Sequence, residues 1–283
     1  MEIRRDTYLQ QLISYRFDGL VKVITGIRRC GKSYLLKNIY KDYLLQNNVK
    51  IEQIISIELD LANDIKYRNP LFLSSYVREI VERSNQEYYL FVDEIQMTDK
   101  VINPYSPNGK RITFYDALNN LRSLPNLDIY VTGSNSKMLS SDILTEFRGR
   151  SDEIRMHPLC FAEYYSAVGG DKNDAFDNYA FFGGMPLILS RPNDMAKMNY
   201  LKSLFTEVYI KDIIERRKIE RQDVLEQILD LLCSSVGSLT NPTKIANTLK
   251  SKQGARVSAN TICIYYADRR KSRYRTQTIF AYR

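Results

Sequence analysis

The chain has 283 residues, 44% of them hydrophobic and 26% charged, with a formal net charge of +8. This length exceeds one small module and fits one large domain with one or two small ones, and the hydrophobic share is that of an ordinary globular protein. The charge is partly local: residues 264–283 hold six Arg/Lys and one Asp, so +5 of the +8 belongs to the tail, and the remaining +3 is no ground for inferring nucleic-acid binding.

The opening stretch Met1-Glu2-Ile3-Arg4-Arg5-Asp6 lacks the apolar core of a signal peptide. The apolar run Val21–Thr25 predicts a first strand. It leads into Gly26-Ile27-Arg28-Arg29-Cys30-Gly31-Lys32-Ser33, which fits the phosphate-binding loop G-x-x-x-x-G-K-[ST]. Gly26 and Gly31 can take positive φ, so that consecutive N–H groups turn inward toward phosphate oxygens. Lys32 is expected to reach the β- and γ-phosphates and the Ser33 hydroxyl to ligate magnesium. A helix is predicted over Tyr34–Leu45 from apolar residues at three- and four-residue steps. The competing reading, a Gly-rich turn before a surface helix, explains neither the Lys-Ser pair nor the strand before it.

Further strands are predicted at Ile54–Leu59, Tyr88–Asp93, Leu127–Thr132 and Glu153–Met156, and further helices at Leu71–Arg83 and Phe114–Leu124. Such alternation argues for an α/β fold, a parallel sheet with helices on both faces. Met97–Arg111 reads as a polar loop with two prolines, and from Phe161 onward the chain reads as helix.

The third predicted strand ends in Asp93-Glu94, four apolar or aromatic residues followed by two acids, at the strand end where ligands bind in open α/β sheets. This is the Walker B pattern, in which Asp93 is expected to hold magnesium through water and Glu94 to polarise the attacking water; the alternative is an ordinary pair of surface acids. The fourth strand ends in Thr132-Gly133-Ser134-Asn135-Ser136. Ser134 or Asn135 is a candidate sensor of the γ-phosphate or lytic water, and a plain helix N-cap is the alternative. Arg148 and Arg150, in Phe147-Arg148-Gly149-Arg150, are candidates for stabilising transition-state charge, in their own subunit or in a neighbour's within a homo-oligomer; the alternative is a solvated arginine pair.

The ordered set TGIRRCGKS, LFVDEIQ, VTGSNSKML, EFRGR, MHPLCFAEYY and FFGGMPL resembles a large prokaryotic family of AAA+-type ATP-binding proteins related to the archaeal ATPases and STAND-like switches. The resemblance covers roughly residues 1–262. It implies a P-loop NTPase core over 1–160 that binds ATP and Mg2+, a helical lid over 161–221 and a winged-helix-like region over 222–263. Family members commonly carry Arg-Arg or Arg-Gln inside the phosphate loop, as at Arg28-Arg29, and continue into a further domain with a restriction-nuclease-like fold. Here Ile264-Tyr265-Tyr266-Ala267-Asp268-Arg269-Arg270-Lys271 has neither helical period nor core pattern. A truncated or frame-shifted end is the expectation for 264–283, and a basic arm for nucleic acid the alternative.

Within 222–263, Val224, Leu225, Ile228, Leu229, Leu231 and Leu232 form an apolar helix face, Asn241-Pro242-Thr243 starts a second helix, and Val257-Ser258-Ala259-Asn260 can cap a third. Three short helices fit a helix-turn-helix, whose partner is DNA or another protein. Cys30, Cys160, Cys233 and Cys263 form no C-x-x-C pair and His157 is the single histidine, so a zinc site is not expected. No run of eighteen apolar residues predicts a membrane span, and the expectation is a cytoplasmic protein. Three functions compete: an ATP-hydrolysing switch, a nucleotide-binding signalling or assembly module with little turnover, and a small-molecule kinase. Asp93-Glu94 favours the first, because a kinase needs no water-activating Glu.

Overall fold

A computed structural model gives the architecture; it describes residues 3–104, 106, 109–133, 147, 149–206, 214, 222–235, 241–253, 258 and 262. Two compact units, Met1–Ala167 and Val168–Arg283, make up the chain.

The first unit is α/β. Helix α1 (Asp6–Ser14) precedes β1 (Val21–Gly26), and the phosphate-loop sequence connects β1 to a helical run over 32–46, here α2, whose middle stretch Leu35–Tyr40 is π-helical. Next come β2 (Ile54–Glu58), α3 (Pro70–Val81), β3 (Tyr88–Asp93), the short strands β4 (Val101–Ile102) and β5 (Arg111–Ile112), α4 (Phe114–Leu121), β6 (Leu127–Thr132), β7 (Ser151–Met156) and α5 (Phe161–Val168). Five strands form one sheet in the order β2-β3-β6-β1-β7, every neighbouring pair parallel.

Every residue of β1, β3 and β6 is buried, the pattern of strands covered on both faces. One face, with Val21, Val23, Leu90, Val92, Ile129 and Val131, packs on Leu73 and Val77 of α3 and on Leu118 and Leu121 of α4. The other, with Ile24, Tyr89, Phe91, Tyr130 and Ile154, packs on Leu12 of α1 and on Leu35, Leu36, Tyr40 and Leu44 of α2. The covering helices begin at defined caps. Asn69 Oδ1 accepts from the Leu71 and Phe72 N–H groups ahead of α3, and Thr113 and Asp116 form a reciprocal capping box at α4.

One sequence expectation is corrected. The segment Met97–Arg111 is not simply a loop: β4 and β5 pair antiparallel within and just past it, Val101 opposite Ile112 and Ile102 opposite Arg111. Strands of two residues are too short for a period-two pattern to register.

The second unit, as far as it is described, is helical. It comprises α6 (Lys172–Phe182), a 3₁₀ turn at Pro186–Ser190, α7 (Asp194–Ser203), α8 (Gln222–Ser234) and α9 (Pro242–Gln253). Val224, Ile228 and Leu232 of α8 pack with Ile245 and Leu249 of α9 and with Ile262. Asn241 Oδ1 accepts from Lys244 N at 2.8 Å and so caps α9. Residues 254–257, 259–261 and 263–283 lie outside the described residues, and with them the basic tail and all of the proposed third cap except Ser258, whose carbonyl accepts from Ile262 N at 3.1 Å.

Candidate functional site

The loop after β1 has the backbone that its two glycines permit. Gly26 has φ +153° and Gly31 φ +102°, and between them Arg29 takes a left-handed conformation at φ +64°. A Cβ on Gly26 would lie 2.4 Å from the Met156 carbonyl oxygen and 2.9 Å from Cys30 Sγ, so the β1 end and the β7 end meet with room for glycine only. Cys30 is buried, and burial pushes its thiol pKa up, the opposite of what a nucleophilic cysteine needs. Arg28 and Arg29 are exposed and Ile27 half-buried.

Lys32 opens the helix. Only 4% of it is exposed, and its ammonium donates to the Gly26 carbonyl at 3.2 Å and the Ile27 carbonyl at 3.0 Å. The cation therefore lies over the loop carbonyls, inside the concavity formed by 26–31. Tyr34, in the first turn of the helix, is 40% exposed.

Asp93 closes β3 and is buried. Its Oδ1 accepts from the Thr132 hydroxyl, the last residue of β6, and its Oδ2 accepts from Lys37 at 2.7 Å. Ser33 is close enough to contribute to the lowering of its pKa. Burial alone would raise the Asp93 pKa; the hydrogen bonds from Lys37, Thr132 and Ser33 outweigh it, and the carboxyl sits below its ordinary value, ionised. The next residue, Glu94, is in a left-handed conformation at φ +56°, ψ +51°, a region that costs a side-chain-bearing residue energy and that clusters at functional positions. Its backbone N–H points to Thr132 Oγ1 at 3.4 Å, and its carboxylate accepts from the Gln96 side-chain amide.

The ends of β1, β3 and β6 thus bring Lys32, Ser33, Asp93 and Thr132 to one edge of the sheet, with Glu94 following Asp93. Sequence reasoning missed three members. Thr132 was passed over for the residues after it; Lys37 follows Ser33 by four positions and so shares its helix face; Glu58 closes β2 in register with Asp93. For Thr132 the usable signal is its place as the last residue of the predicted strand Leu127–Thr132.

Arg150 is exposed and directly precedes β7, its carbonyl accepting from Val21 N at 3.1 Å. Because β7 runs parallel to β1 from Ser151↔Val21 to Met156↔Gly26, Arg150 is at the far end of the sheet, about 20 Å of strand from its own phosphate loop. A role toward the phosphates of its own subunit is therefore geometrically disfavoured. Ser134, Asn135 and Arg148 lie outside the described residues.

Among the described residues no helix is long and apolar enough to cross a membrane. The donor set suits a magnesium-bound nucleotide: a hydroxyl and an ionised carboxylate together, and a loop whose close approach admits no Cβ.

Comparison with known proteins agrees with the fold. Residues 18–165 match the family model of an AAA domain, and residues 173–266 match a domain of unknown function. An uncharacterized protein of Haemophilus influenzae is 31% identical over 259 residues, covering 89% of this chain and 60% of that protein. An uncharacterized protein of Methanocaldococcus jannaschii is 28% identical over 249 residues, covering 81% of this chain and 50% of its own length. The chain thus spans 60% and 50% of these curated relatives. A solved Walker-type ATPase of Pyrococcus abyssi superposes with a TM-score of 0.53 at 17% identity, over 95% of this chain and 89% of that one, a likeness of fold.

Proposed function

The chain belongs to the AAA domain family of P-loop NTPases, and we propose that it is a molecular switch that binds ATP with magnesium at Gly26–Ser33 and hydrolyses it with Glu94 as general base. The observation that carries this reading is the hydrogen bond between Asp93 and Thr132 at the sheet edge where Lys32, Ser33 and Glu94 also lie.

The roles follow from the chemistry. The loop N–H groups and the start of α2 favour anionic phosphates. The Lys32 ammonium exchanges its two loop carbonyls for phosphate oxygens, so the bound state gains charge pairing at the expense of two neutral acceptors. Ser33 and Asp93 hold the metal, which when bound neutralises phosphate charge. Glu94 takes a proton from the attacking water, Gln96 restrains its carboxylate, and Thr132 fixes the rotamer of Asp93. Ser134 and Asn135, which follow Thr132 in sequence, are kept as sensors. Residues 1–160 then form the ATPase core, 161–221 a lid and 222–263 a winged-helix-like module for a DNA or protein partner. The buried seam between α8 and α9 and the Asn241 cap support the last assignment.

Lys32→Ala tests the binding site. Calorimetry is expected to show ATP affinity falling strongly while circular dichroism stays that of the wild type. A variant with unchanged affinity would remove Gly26–Ser33 from the nucleotide site.

A further inference from the structure

Lys37 lies in the π-helical stretch of α2, a helix irregularity frequent at functional sites. Its ammonium forms ion pairs with two acids at once, Asp93 Oδ2 at 2.7 Å and Glu58 Oε2 at 2.6 Å. Those acids close neighbouring strands in register, so without a cation between them their charges repel at the rim of the sheet. Lys37 reduces the charge of this cluster from −2 to −1.

We propose that Lys37 is a positioning residue for the metal site: its ammonium fixes the Asp93 carboxylate between Thr132, Ser33 and the helix, and lowers the negative charge so that a divalent ion enters with nucleotide phosphates and not alone. The inference rests on the nucleotide site proposed above. Glu58 and Asp93 without Lys37 are two adjacent carboxylates, a hard oxygen pair that attracts a divalent ion directly. Such an ion would sit between β2 and β3 and pull Asp93 away from Ser33. The lysine therefore trades intrinsic metal affinity for correct placement.

The two effects have opposite signs, which a merely structural role cannot imitate. In nucleotide-free protein titrated with Mn2+ and followed by electron paramagnetic resonance of the free ion, Lys37→Met is expected to bind Mn2+ about tenfold more tightly than wild type, a modest value because the cluster is partly solvent-screened. Its ATP turnover is expected to fall. Lys37→Arg keeps the charge and restores both readings toward wild type. Adding Glu58→Gln to Lys37→Met removes one carboxylate and returns Mn2+ affinity toward the wild-type value. Lys37→Gln, neutral yet still a hydrogen-bond donor, carries the same prediction if the methionine variant does not fold. Mn2+ affinity that is unchanged or weaker in a folded, ATP-binding neutral variant overturns the role of Lys37 alone. A wild-type protein that binds no ATP instead sinks the nucleotide reading on which it rests.

Discussion

Gly26 and Met156 are in register at the ends of β1 and β7, and the glycine's α-carbon faces the Met156 carbonyl so closely that a Cβ would stand 2.4 Å from its oxygen. The obstructing atom is backbone, so no side-chain rotation relieves it. At φ +153° the residue is also outside the range that L side chains usually adopt. Gly26→Ala must therefore part the two strand ends or reshape the loop. The expected cost is about 1–3 kcal/mol of stability, the usual scale of overpacking, with a larger loss of ATP affinity because the loop backbone itself moves. Denaturant unfolding and calorimetry on the same variant check both. Stability and affinity equal to wild type would show that the close approach is not a constraint.

The sheet face under α2 carries a buried tyrosine chain with a pH signature. Tyr40 and Tyr130 hydroxyls are 2.6 Å apart, Tyr130 donates to Asp128 Oδ2 at 2.7 Å, and Asp128 is paired with the buried Lys22 at 2.6 Å. Burial, the largest influence, raises the phenol pKa of Tyr40 and Tyr130 and pushes that of Tyr89 up to about 12. An unfolded tyrosine ionises near pH 10. A folded value above the unfolded one means the stabilisation is whole below about pH 10 and is lost as pH rises toward 12. Tyrosinate absorbance should show these phenols still protonated at about pH 11 and ionising together with loss of the far-ultraviolet dichroism. Full ionisation of every tyrosine near pH 10 with native dichroism intact would contradict the buried chain.

How far the sequence foretold this arrangement depended on the kind of signal each residue leaves. Tyr88–Asp93 and Leu127–Thr132 were predicted with the bounds they have, because both faces of β3 and β6 are buried and burial writes a continuous apolar run. Lys32 and Ser33 are legible as candidates because the phosphate loop fixes residue types at fixed spacing, and Asp93 and Glu94 because two acids end a continuous apolar run. Glu58 and Lys37 were not, because their meaning comes from strand register and helix phase; a lone acid and a lone lysine look like solvated surface until β2 is placed beside β3. The β4–β5 hairpin escaped because two-residue strands carry no periodicity.

Arg150 offers a test of assembly. It is exposed, and its position at the far end of β7 sets it about 20 Å of strand from its own phosphate loop. An arginine so placed can serve the γ-phosphate of a neighbouring subunit, a contribution worth about 10³–10⁵ in rate where such fingers operate. Arg150→Ala and Lys32→Ala proteins, each inactive alone, should regain activity when mixed, because some interfaces then pair an intact loop with an intact arginine. Specific activity should also rise with protein concentration. Mixtures that co-assemble yet stay inactive would leave Arg150 a structural residue.

Hydrolysis of ATP through Glu94 is read out by steady-state phosphate release measured beside ATP binding. Glu94 takes a left-handed conformation one residue past Asp93, the proposed metal ligand. Glutamine keeps the size and cannot accept the water's proton. Wild type should release phosphate, Glu94→Gln should bind ATP as tightly, and its turnover should be lower by about 10²–10⁴-fold, the usual share of a general base. Equal turnover in Glu94→Gln, or a wild type that binds ATP and releases no phosphate, would contradict it.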